Sequence, residues 1–229
     1  MKDIVVIDSP LRCVFITPNT PGSRIPSHGT SNYGETYAID FVVVSRSGKS
    51  KKPYGPGVLK YLFRGLRLDE FYGWSESIYA PVAGEIVRVV DGIRERNPVN
   101  LFRDIRNTIR VTRKFEEGKE DFTAITGNCV IIQYGVNEYC LLAHLKTGSV
   151  IVEEGQRIER NQPVGELGHS GNSTMPHLHM QFMNSLDFRK AQGIPFKLKE
   201  YYVYRKGEWI RNSDAVPTDK EIIRVGWNH

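Results

Sequence analysis

Several signatures that would assign a chain of this size are missing. Its 229 residues contain no run of 18 or more apolar residues, so no transmembrane helix is predicted. There is no Gly-x-Ser-x-Gly elbow, no HExxH helix and no P-loop, so none of these catalytic motifs competes for an assignment. The opening residues MKDIVVID are too short and too acidic for a signal peptide. They predict a protein that stays inside the cell, or one whose leader is not part of this sequence.

Cysteine is scarce and unpatterned. The three cysteines, Cys13, Cys129 and Cys140, are an odd number and show no CxxC spacing. Neither a disulfide framework nor a cysteine-ligated zinc site is therefore indicated. Buried free thiols are predicted instead.

The charge balance is modestly basic. There are 31 Lys and Arg against 26 Asp and Glu, which gives a net charge of +5 and a pI near 9.0. This charge suits an anionic partner such as a cell-wall polymer, but it does not identify one. Residues 94–114 hold seven basic and two acidic side chains, without aromatic interleaving or a nucleic-acid motif. A solvated basic face on an insertion is predicted there, and no nucleic-acid partner.

Short apolar runs separated by Gly and Pro turns dominate the chain. A composition of 40% hydrophobic and 25% charged residues is that of an ordinary globular protein. The many short strands predict a mainly β fold, a single domain of antiparallel sheets with one or two helix or loop insertions. The predicted parts are an N-terminal strand and connector (1–27), a main domain (28–182) with insertions at about 45–74 and 91–127, and a C-terminal β extension packed on the same domain (183–229).

One β-hairpin can be predicted with its register. Two apolar runs flank Gly135 to Glu138, and pairing Tyr134 with Tyr139 places Cys129 opposite His144.

The two insertions are less clearly defined. In the second, Asn97 and Pro98 are the expected N-cap and first residue of a helix, and the pattern after Thr108 is equally strand-like. The aromatic residues of 45–74 form either a rim or lid over a groove, or a loop packed on the main core.

The most informative stretch is Ser173 to Phe182, STMPHLHMQF. Side chains of a strand alternate between faces, so His177, His179 and Gln181 share one face and the apolar residues between them share the core side. Two imidazoles at positions i and i+2 of one strand lie about 7 Å apart, within reach of one ion or substrate. Solvated histidines on an edge strand are the alternative, but the apolar alternation favours metal binding or catalysis.

This stretch resembles the HxH signature of the lysostaphin/LytM-type zinc endopeptidases, peptidase family M23. Three other segments are similar to family motifs. They are Ile78 to Val90 (strand–APxxG–strand), Leu142 to Leu145 (xAHL) and Gly155 to Gly168 (VxxGQxVxxGQxIG). The resemblance covers most of residues 28–182 and implies a LytM/lysostaphin-like β-sandwich.

The resemblance also implies roles for individual residues. Asp40 and His179 match zinc ligands, and His144 and His177 match catalytic histidines. Asp40 stands inside an apolar run, where a carboxylate is costly unless it is paired or bound. His28 would complete an N, O, N ligand set for Zn²⁺ that leaves one position open, as catalytic zinc sites require.

The first ligand departs from the family pattern. The usual HxxxD spacing would place it at Thr36, so a loop must bring His28 back to Asp40. Glu35 is the nearby alternative, but strand alternation, if the strand extends that far, would put it on the face opposite Asp40. His169, in the turn before the signature, is predicted to be structural.

By resemblance, the chain is a zinc-dependent endopeptidase that hydrolyses peptide bonds in peptidoglycan cross-links or stem peptides, in the cell envelope or secreted. The alternative function is a non-catalytic peptidoglycan-binding or regulatory scaffold on the same fold, and the alternative location is the cytoplasm. The presence of Asp40, His144, His177 and His179 together favours the enzyme.

Overall fold

The computed structural model describes residues 4–226, and strands are its main elements. In chain order, the strands are β1 Val5–Ile7, β2 Val14–Ile16, β3 Ile39–Val43, β4 Ser77–Tyr79, β5 Gly84–Val90, β6 Asn128–Gly135, β7 Glu138–Leu145, β8 Arg157–Ile158, β9 Pro163–Glu166, β10 Leu178–Met183, β11 Phe196–Arg205, β12 Glu208–Ala215 and β13 Ile223–Arg224. The α-helices are α1 Val58–Phe63, α2 Leu101–Glu116 and α3 Phe122–Thr126, and the 3₁₀ segments are Asn32–Tyr37 and Leu68–Glu70.

One large sheet carries most of these strands. Eleven strands pair in one sheet, ten of them in the order β1-β11-β13-β2-β3-β10-β7-β6-β5-β8 and the eleventh, β12, with β11. β4 pairs with β9 in a second, two-stranded sheet. Within the described range, the β1–β11 pair is parallel and the other pairs are antiparallel. The predicted mainly β fold with antiparallel sheets and helical insertions is confirmed.

Each face of the large sheet has its own apolar core. The larger core packs one face against the small sheet, and it contains the three apolar residues of the signature strand, Leu178, Met180 and Phe182, all 0% exposed. The second core covers part of the other face, where Leu141 and Ala143 of β7 contact Phe115 of α2. Helix α2 therefore lies on the face toward which His179 and Gln181 point.

Both terminal segments enter the same sheet. β1 pairs with β11, and β2 lies between β3 and β13. The division into ranges 1–27, 28–182 and 183–229 stays a prediction.

The predicted hairpin is present, but its predicted register is wrong. β6 and β7 pair Gln133 with Tyr139 and Cys129 with Ala143, one residue away from the expected pairing. A second register shift beside Cys129 leaves His144 as an extra residue of β7, with a φ of +66°. Such a bulge bends the strand and redirects a side chain. The three cysteines are buried and free, as predicted.

Helix α2 begins later than predicted. Its N-cap is Asn100, not Asn97. An antiparallel bridge between Leu66 and Val99 holds the preceding residues in an extended conformation. The helix then continues to Glu116, so the strand alternative after Thr108 is wrong.

The aromatic residues of 45–74 make a small core of their own. Tyr54, Tyr61 and Phe71 pack with ring centroids 5.1–6.0 Å apart. Val99 of the second insertion completes this cluster. The two insertions therefore support each other, and these aromatics do not pack on the main core.

Candidate metal centre

The site lies where β3, β10 and β7 run side by side. His179 of β10 is directly opposite Asp40 of β3 and Ala143 of β7. Residues directly opposite in antiparallel strands point to the same face, so the His179 and Asp40 side chains project together. His144 follows Ala143 at the bulge, which turns its ring to within 6.0 Å of the His179 ring, measured between centroids.

Asp40 is the centre of this cluster. Its side chain is surrounded by three imidazoles: Oδ2 lies 3.1 Å from His28 Nε2, and Oδ1 lies 2.9 Å from His179 Nδ1 and 3.7 Å from His177 Nε2. Within residues 4–226, His28, Asp40 and His179 form the one group whose possible ligand atoms all lie within 4.8 Å of one another. The structure therefore brings the three predicted ligands together.

A turn-rich loop returns His28 to the site. Residues 32–37 form a 3₁₀ segment in which Gly34 has a φ of +81°. A Cβ atom at Gly34 would lie 2.8 Å from Gln181 Nε2, so both the backbone angle and the close approach require glycine. The loop is thereby fitted against the signature strand.

The His28 ring is prepared for a ligand on its Nε2 atom. Ser27 Oγ donates to the carbonyl oxygen of Glu35 at 3.1 Å and lies 3.0 Å from His28 Nδ1. Because the hydroxyl proton is used for Glu35, the His28 Nδ1–H group donates to Ser27 Oγ. His28 Nε2 then carries a lone pair and faces Asp40 Oδ2 at 3.1 Å, a contact that does not have the geometry of a hydrogen bond. A metal ion would satisfy it.

The His179 ring is held from the other side by Gln181. Gln181 Oε1 lies 3.0 Å from His179 Nε2, and Gln181 Nε2 donates to the carbonyl oxygen of Tyr33 at 2.8 Å. With its amide nitrogen committed to Tyr33, the Gln181 oxygen accepts from His179 Nε2–H. This arrangement leaves His179 Nδ1 for a metal, the second-shell pattern that orients ligating histidines.

Asn19 fixes the carboxylate. Its Nδ2 atom donates to Asp40 Oδ2 at 2.7 Å, and its carbonyl oxygen accepts from the Asp40 backbone N–H at 3.0 Å. Sequence reasoning missed Asn19, Ser27 and a role for Gln181. Ser27 borders His28 and Gln181 shares the predicted face of His179, but no sequence signal links Asn19 to Asp40.

His144 and His177 have the same tautomer. His144 Nδ1 donates to the carbonyl oxygen of Ser170 at 2.9 Å, and His177 Nδ1 donates to that of Met175 at 2.8 Å. Their neutral rings therefore carry the lone pair on Nε2. The two rings lie 4.7 Å apart between centroids, and both line the cavity beside Asp40.

Burial and charge divide the ionisable groups of the site into two kinds. Burial acts to raise the pKa of Asp40, but the neighbouring His28, His177 and His179 hold it well below its ordinary value. Burial acts to lower the pKa of His179, but the hydrogen bond and charge of Asp40 raise it to about 9. Burial lowers the pKa of His177, and it lowers that of His144 strongly. The site therefore contains one carboxylate and two imidazoles that stay neutral near pH 7.

Glu35 lies nearer the site than predicted. β3 begins only at Ile39, so strand alternation does not reach Glu35 and the condition for its facing away from Asp40 is not met. Its side chain lines the same cavity as His28, and burial raises its pKa. It does not belong to the group of closely spaced ligand atoms.

The site opens into a cavity of about 470 Å³. Its wall includes Thr108, Thr112 and Phe115 of α2 and Phe122 of α3. None of the lining residues within the described range belongs to 45–74. The second insertion, and not the first, shapes the groove.

A buried His-Asp-His group beside two neutral imidazoles, on the floor of an antiparallel sheet, defines a candidate metal-dependent hydrolytic site. A family match agrees with this interpretation. The sequence profile of Peptidase family M23 matches residues 111–192, which include His144, His177 and His179 but neither His28 nor Asp40. This match agrees with the resemblance to peptidase family M23 that the sequence motifs carry.

Two curated relatives come from Vibrio cholerae. Peptidoglycan DD-endopeptidase ShyC is 28% identical over 93 residues, 37% of this chain and 21% of that protein. Peptidoglycan DD-endopeptidase ShyA is 39% identical over 57 residues, 25% of this chain and 13% of that protein. The matched stretches thus span about a fifth or less of these relatives. Among solved structures, the catalytic domain of the antimicrobial peptidase lysostaphin from Staphylococcus simulans is 18% identical, with a TM-score of 0.36, over 80% of this chain and 88% of that one.

The raised pKa of His179 predicts how metal binding depends on pH. Without metal, the protonated His179 contributes stability that is fully present below its unfolded value of 6.5 and is lost as the pH rises through about 9. Zinc requires the unprotonated ring, so protons compete with it over the same range. We expect the zinc-induced rise in Tm to grow from pH 6.5 to 9. Thermal melts with and without zinc would contradict this if the rise were constant or fell with pH.

The second-shell position of Gln181 gives a second prediction. Gln181→Leu removes the acceptor for His179 Nε2–H and the link to Tyr33, and it should weaken zinc binding about 10- to 100-fold. Gln133→Leu is the matched control, because Gln133 is a half-buried glutamine on β6 that bonds Gly135 and touches no site residue. Competition with a chromophoric chelator measures both affinities. Equal zinc affinity in the two variants would remove Gln181 from the site.

Proposed function

We propose that this protein is a zinc-dependent endopeptidase that cleaves peptide bonds in peptidoglycan cross-links or stem peptides. One observation carries the proposal: a three-ligand group is placed beside two imidazoles whose Nε2 atoms are free to accept a proton. The names of the two Vibrio cholerae relatives support the substrate class.

His28 Nε2, Asp40 and His179 Nδ1 would hold the metal. The donor set of two nitrogens and one carboxylate oxygen suits zinc, and the buried His28 Nε2 makes no hydrogen bond that would compete with a metal ion. When bound, zinc supplies a Lewis acid for the peptide carbonyl and lowers the pKa of a water molecule to about 7. Asn19, Ser27 and Gln181 keep the three ligands in place.

His144 and His177 are the residues that would transfer the proton of the attacking water. The Nε2 atom of His144 or His177 can accept a proton from water as the water oxygen bonds to the carbonyl carbon of the scissile peptide. The resulting imidazolium can then return this proton to the leaving nitrogen as the C–N bond breaks. Their Nδ1–H groups stay bonded to backbone carbonyls throughout, so neither ring has to turn.

The cavity wall suits a peptide. Threonine hydroxyls of α2 and the amide of Asn172 offer hydrogen-bond partners, and Phe115 and Phe122 offer apolar surface. A peptidoglycan substrate places the activity in the cell envelope or outside the cell. Within residues 4–226, no helix is long and apolar enough to cross a membrane.

The rival function is a non-catalytic peptidoglycan-binding scaffold on the same fold. A scaffold has no need for three closely spaced ligand side chains, each with its own second-shell partner, or for two imidazoles of matched tautomer. No contact in the site favours this alternative.

The first functional prediction separates ligands from proton carriers. His144→Ala and His177→Ala should retain zinc but lose hydrolysis about 10²- to 10⁴-fold, because proton transfer contributes a factor of this size. His179→Ala should lose zinc as well as activity. Zinc content by elemental analysis and release of peptide fragments from purified peptidoglycan test both statements. If the wild-type protein binds peptidoglycan and loads zinc yet cleaves nothing, the scaffold is the correct function.

The second prediction tests the unusual spacing of the first ligand. Loss of a second-shell partner weakens metal binding by up to about 100-fold. His28→Ala removes a ligand itself, so it should weaken zinc binding by more than this. Glu35→Ala is the matched control, since Glu35 lines the same cavity without joining the ligand group. A zinc titration that ranks the two variants in the reverse order would overturn the assignment of His28.

A further inference from the structure

The loop formed by residues 168–177, here called the signature loop, holds both proton-carrying histidines. Its Ser170 carbonyl oxygen accepts from His144 Nδ1, and its Met175 carbonyl oxygen accepts from His177 Nδ1. The position of one short loop therefore sets the tautomer and orientation of two rings, one from β7 and one from the last residue of the loop itself.

One arginine of the second insertion, Arg96, holds this loop through hydrogen bonds that are here called the brace. Arg96 donates from its two terminal nitrogens to the carbonyl oxygens of Gly171 at 2.8 Å and Ser173 at 2.6 Å. These carbonyls lie between the two that hold the histidines. The planar guanidinium can make both bonds at once, which a single ammonium group cannot do.

The arginine is in turn fixed by a buried carboxylate. Arg96 Nε donates to Asp104 Oδ1 at 2.7 Å, and Asp104 Oδ2 accepts from the backbone N–H of Asn100 at 2.7 Å. The Asp104 side chain is 0% exposed and that of Arg96 is 25% exposed. Burial acts to raise the pKa of Asp104, but the nearby His169 ring and the hydrogen bond from Arg96 keep it below its ordinary value. Asp104 is therefore an anion at the start of α2, aimed at Arg96.

A second chain of contacts runs from the same carboxylate to His177. His169 Nε2 lies 3.9 Å from Asp104 Oδ2, and His169 Nδ1 lies 2.9 Å from Ser173 Oγ. Ser173 Oγ donates to the Met175 carbonyl oxygen at 2.6 Å and lies 3.1 Å from His177 Nδ1. The loop is thus held at its backbone by Arg96, and its own His169 side chain lies between Asp104 and Ser173.

We propose that Arg96, held by Asp104, is a positioning residue for His144 and His177. The second insertion then belongs to the catalytic machinery and does more than form a wall of the cavity. The kinetic part of this inference rests on the proposed function. The ring positions do not, because the hydrogen bonds exist whatever reaction the site performs.

The brace is independent of the metal group. His28, Asp40 and His179 lie on the 28–40 segment and on β10, and their second-shell partners are Ser27, Asn19 and Gln181. None of these six residues contacts Arg96 through a hydrogen bond within the described chain. Loss of the brace should therefore disturb proton transfer and leave zinc binding intact.

Two variants and one control test the proposal. Arg96→Met removes all three hydrogen bonds. Arg96→Lys keeps a positive charge for Asp104 but cannot span the two carbonyls. Arg94→Met is the control. Arg94 is an exposed arginine of the same segment and forms no ion pair within residues 4–226.

Three measurements are made on each zinc-loaded protein: zinc affinity by chelator competition, kcat and KM on a cross-linked peptide, and long-range ¹H–¹⁵N correlation spectra of the histidine rings. In both Arg96 variants we expect kcat to fall about 10²-fold, the effect of misplacing a reacting group by about 1 Å. KM and zinc affinity should stay at the wild-type values. The Nδ1–H signals of His144 and His177, slow to exchange in the wild type, should broaden or disappear, while the Nδ1–H signal of His28 and the Nε2–H signal of His179 persist. Arg94→Met should match the wild type throughout.

The contrary results are distinct. Wild-type kcat and unchanged ring signals in both Arg96 variants would overturn the proposal. So would a parallel loss of kcat, zinc affinity and Tm in Arg96→Lys, because that pattern describes general destabilisation. If Arg96→Met does not fold, Arg96→Lys decides. If the wild-type protein hydrolyses nothing, the proposed function fails, and the ring spectra alone still confirm or overturn the positioning role.

Discussion

The buried carboxylate of Asp40 is the interaction on which the site depends. A charge placed in an apolar strand must be compensated, and here three imidazoles and one amide surround it. That single requirement determines what the neighbouring elements do. The 28–40 segment returns His28 to Asp40, and the register of β10 against β3 places His179 opposite Asp40. The charge of Asp40 also raises the pKa of His179 to about 9.

A metal ion would relieve the same requirement in another way. In the metal-free protein, His179 carries a proton that balances Asp40, whereas a bound cation would take over that balance and release the proton. The second-shell contacts do not have to change for this exchange. Ser27, Asn19 and Gln181 already present His28 Nε2, Asp40 and His179 Nδ1 toward one point. The fold is therefore arranged for a ligand set before any ion is bound.

The structural features that could be predicted from the sequence are those encoded in local periodicity. The alternation in STMPHLHMQF identified the strand, its core face and the two histidines, and an aspartate in the middle of an apolar run marked its own unusual environment. The hairpin register could not be predicted, since it depends on two bulges, one of which creates the position of His144. The start of α2 was predicted too early because the bridge between Leu66 and Val99 is a long-range contact.

Long-range polar contacts were the least predictable feature. Asn19, Arg96 and Asp104 look like ordinary surface residues in the sequence, and Arg96 lies in a run that reads as a solvated basic face. For Arg96 that interpretation is wrong, because its guanidinium is bonded to the buried carboxylate of Asp104. Through this pair, the second insertion is connected to the signature loop. The second insertion thus also supports the signature loop that carries His177 and holds His144.

The central claim is that His28, Asp40 and His179 form one metal centre despite the long spacing between the first two. An anomalous difference map collected at the zinc absorption edge from zinc-loaded crystals tests it most directly. We expect one peak per chain, which marks a zinc ion bonded to His28 Nε2, an Asp40 oxygen and His179 Nδ1. His144 and His177 should lie outside bonding distance of it. A peak that lacks His28, that includes Glu35 in its place, or that lies elsewhere in the chain would contradict it.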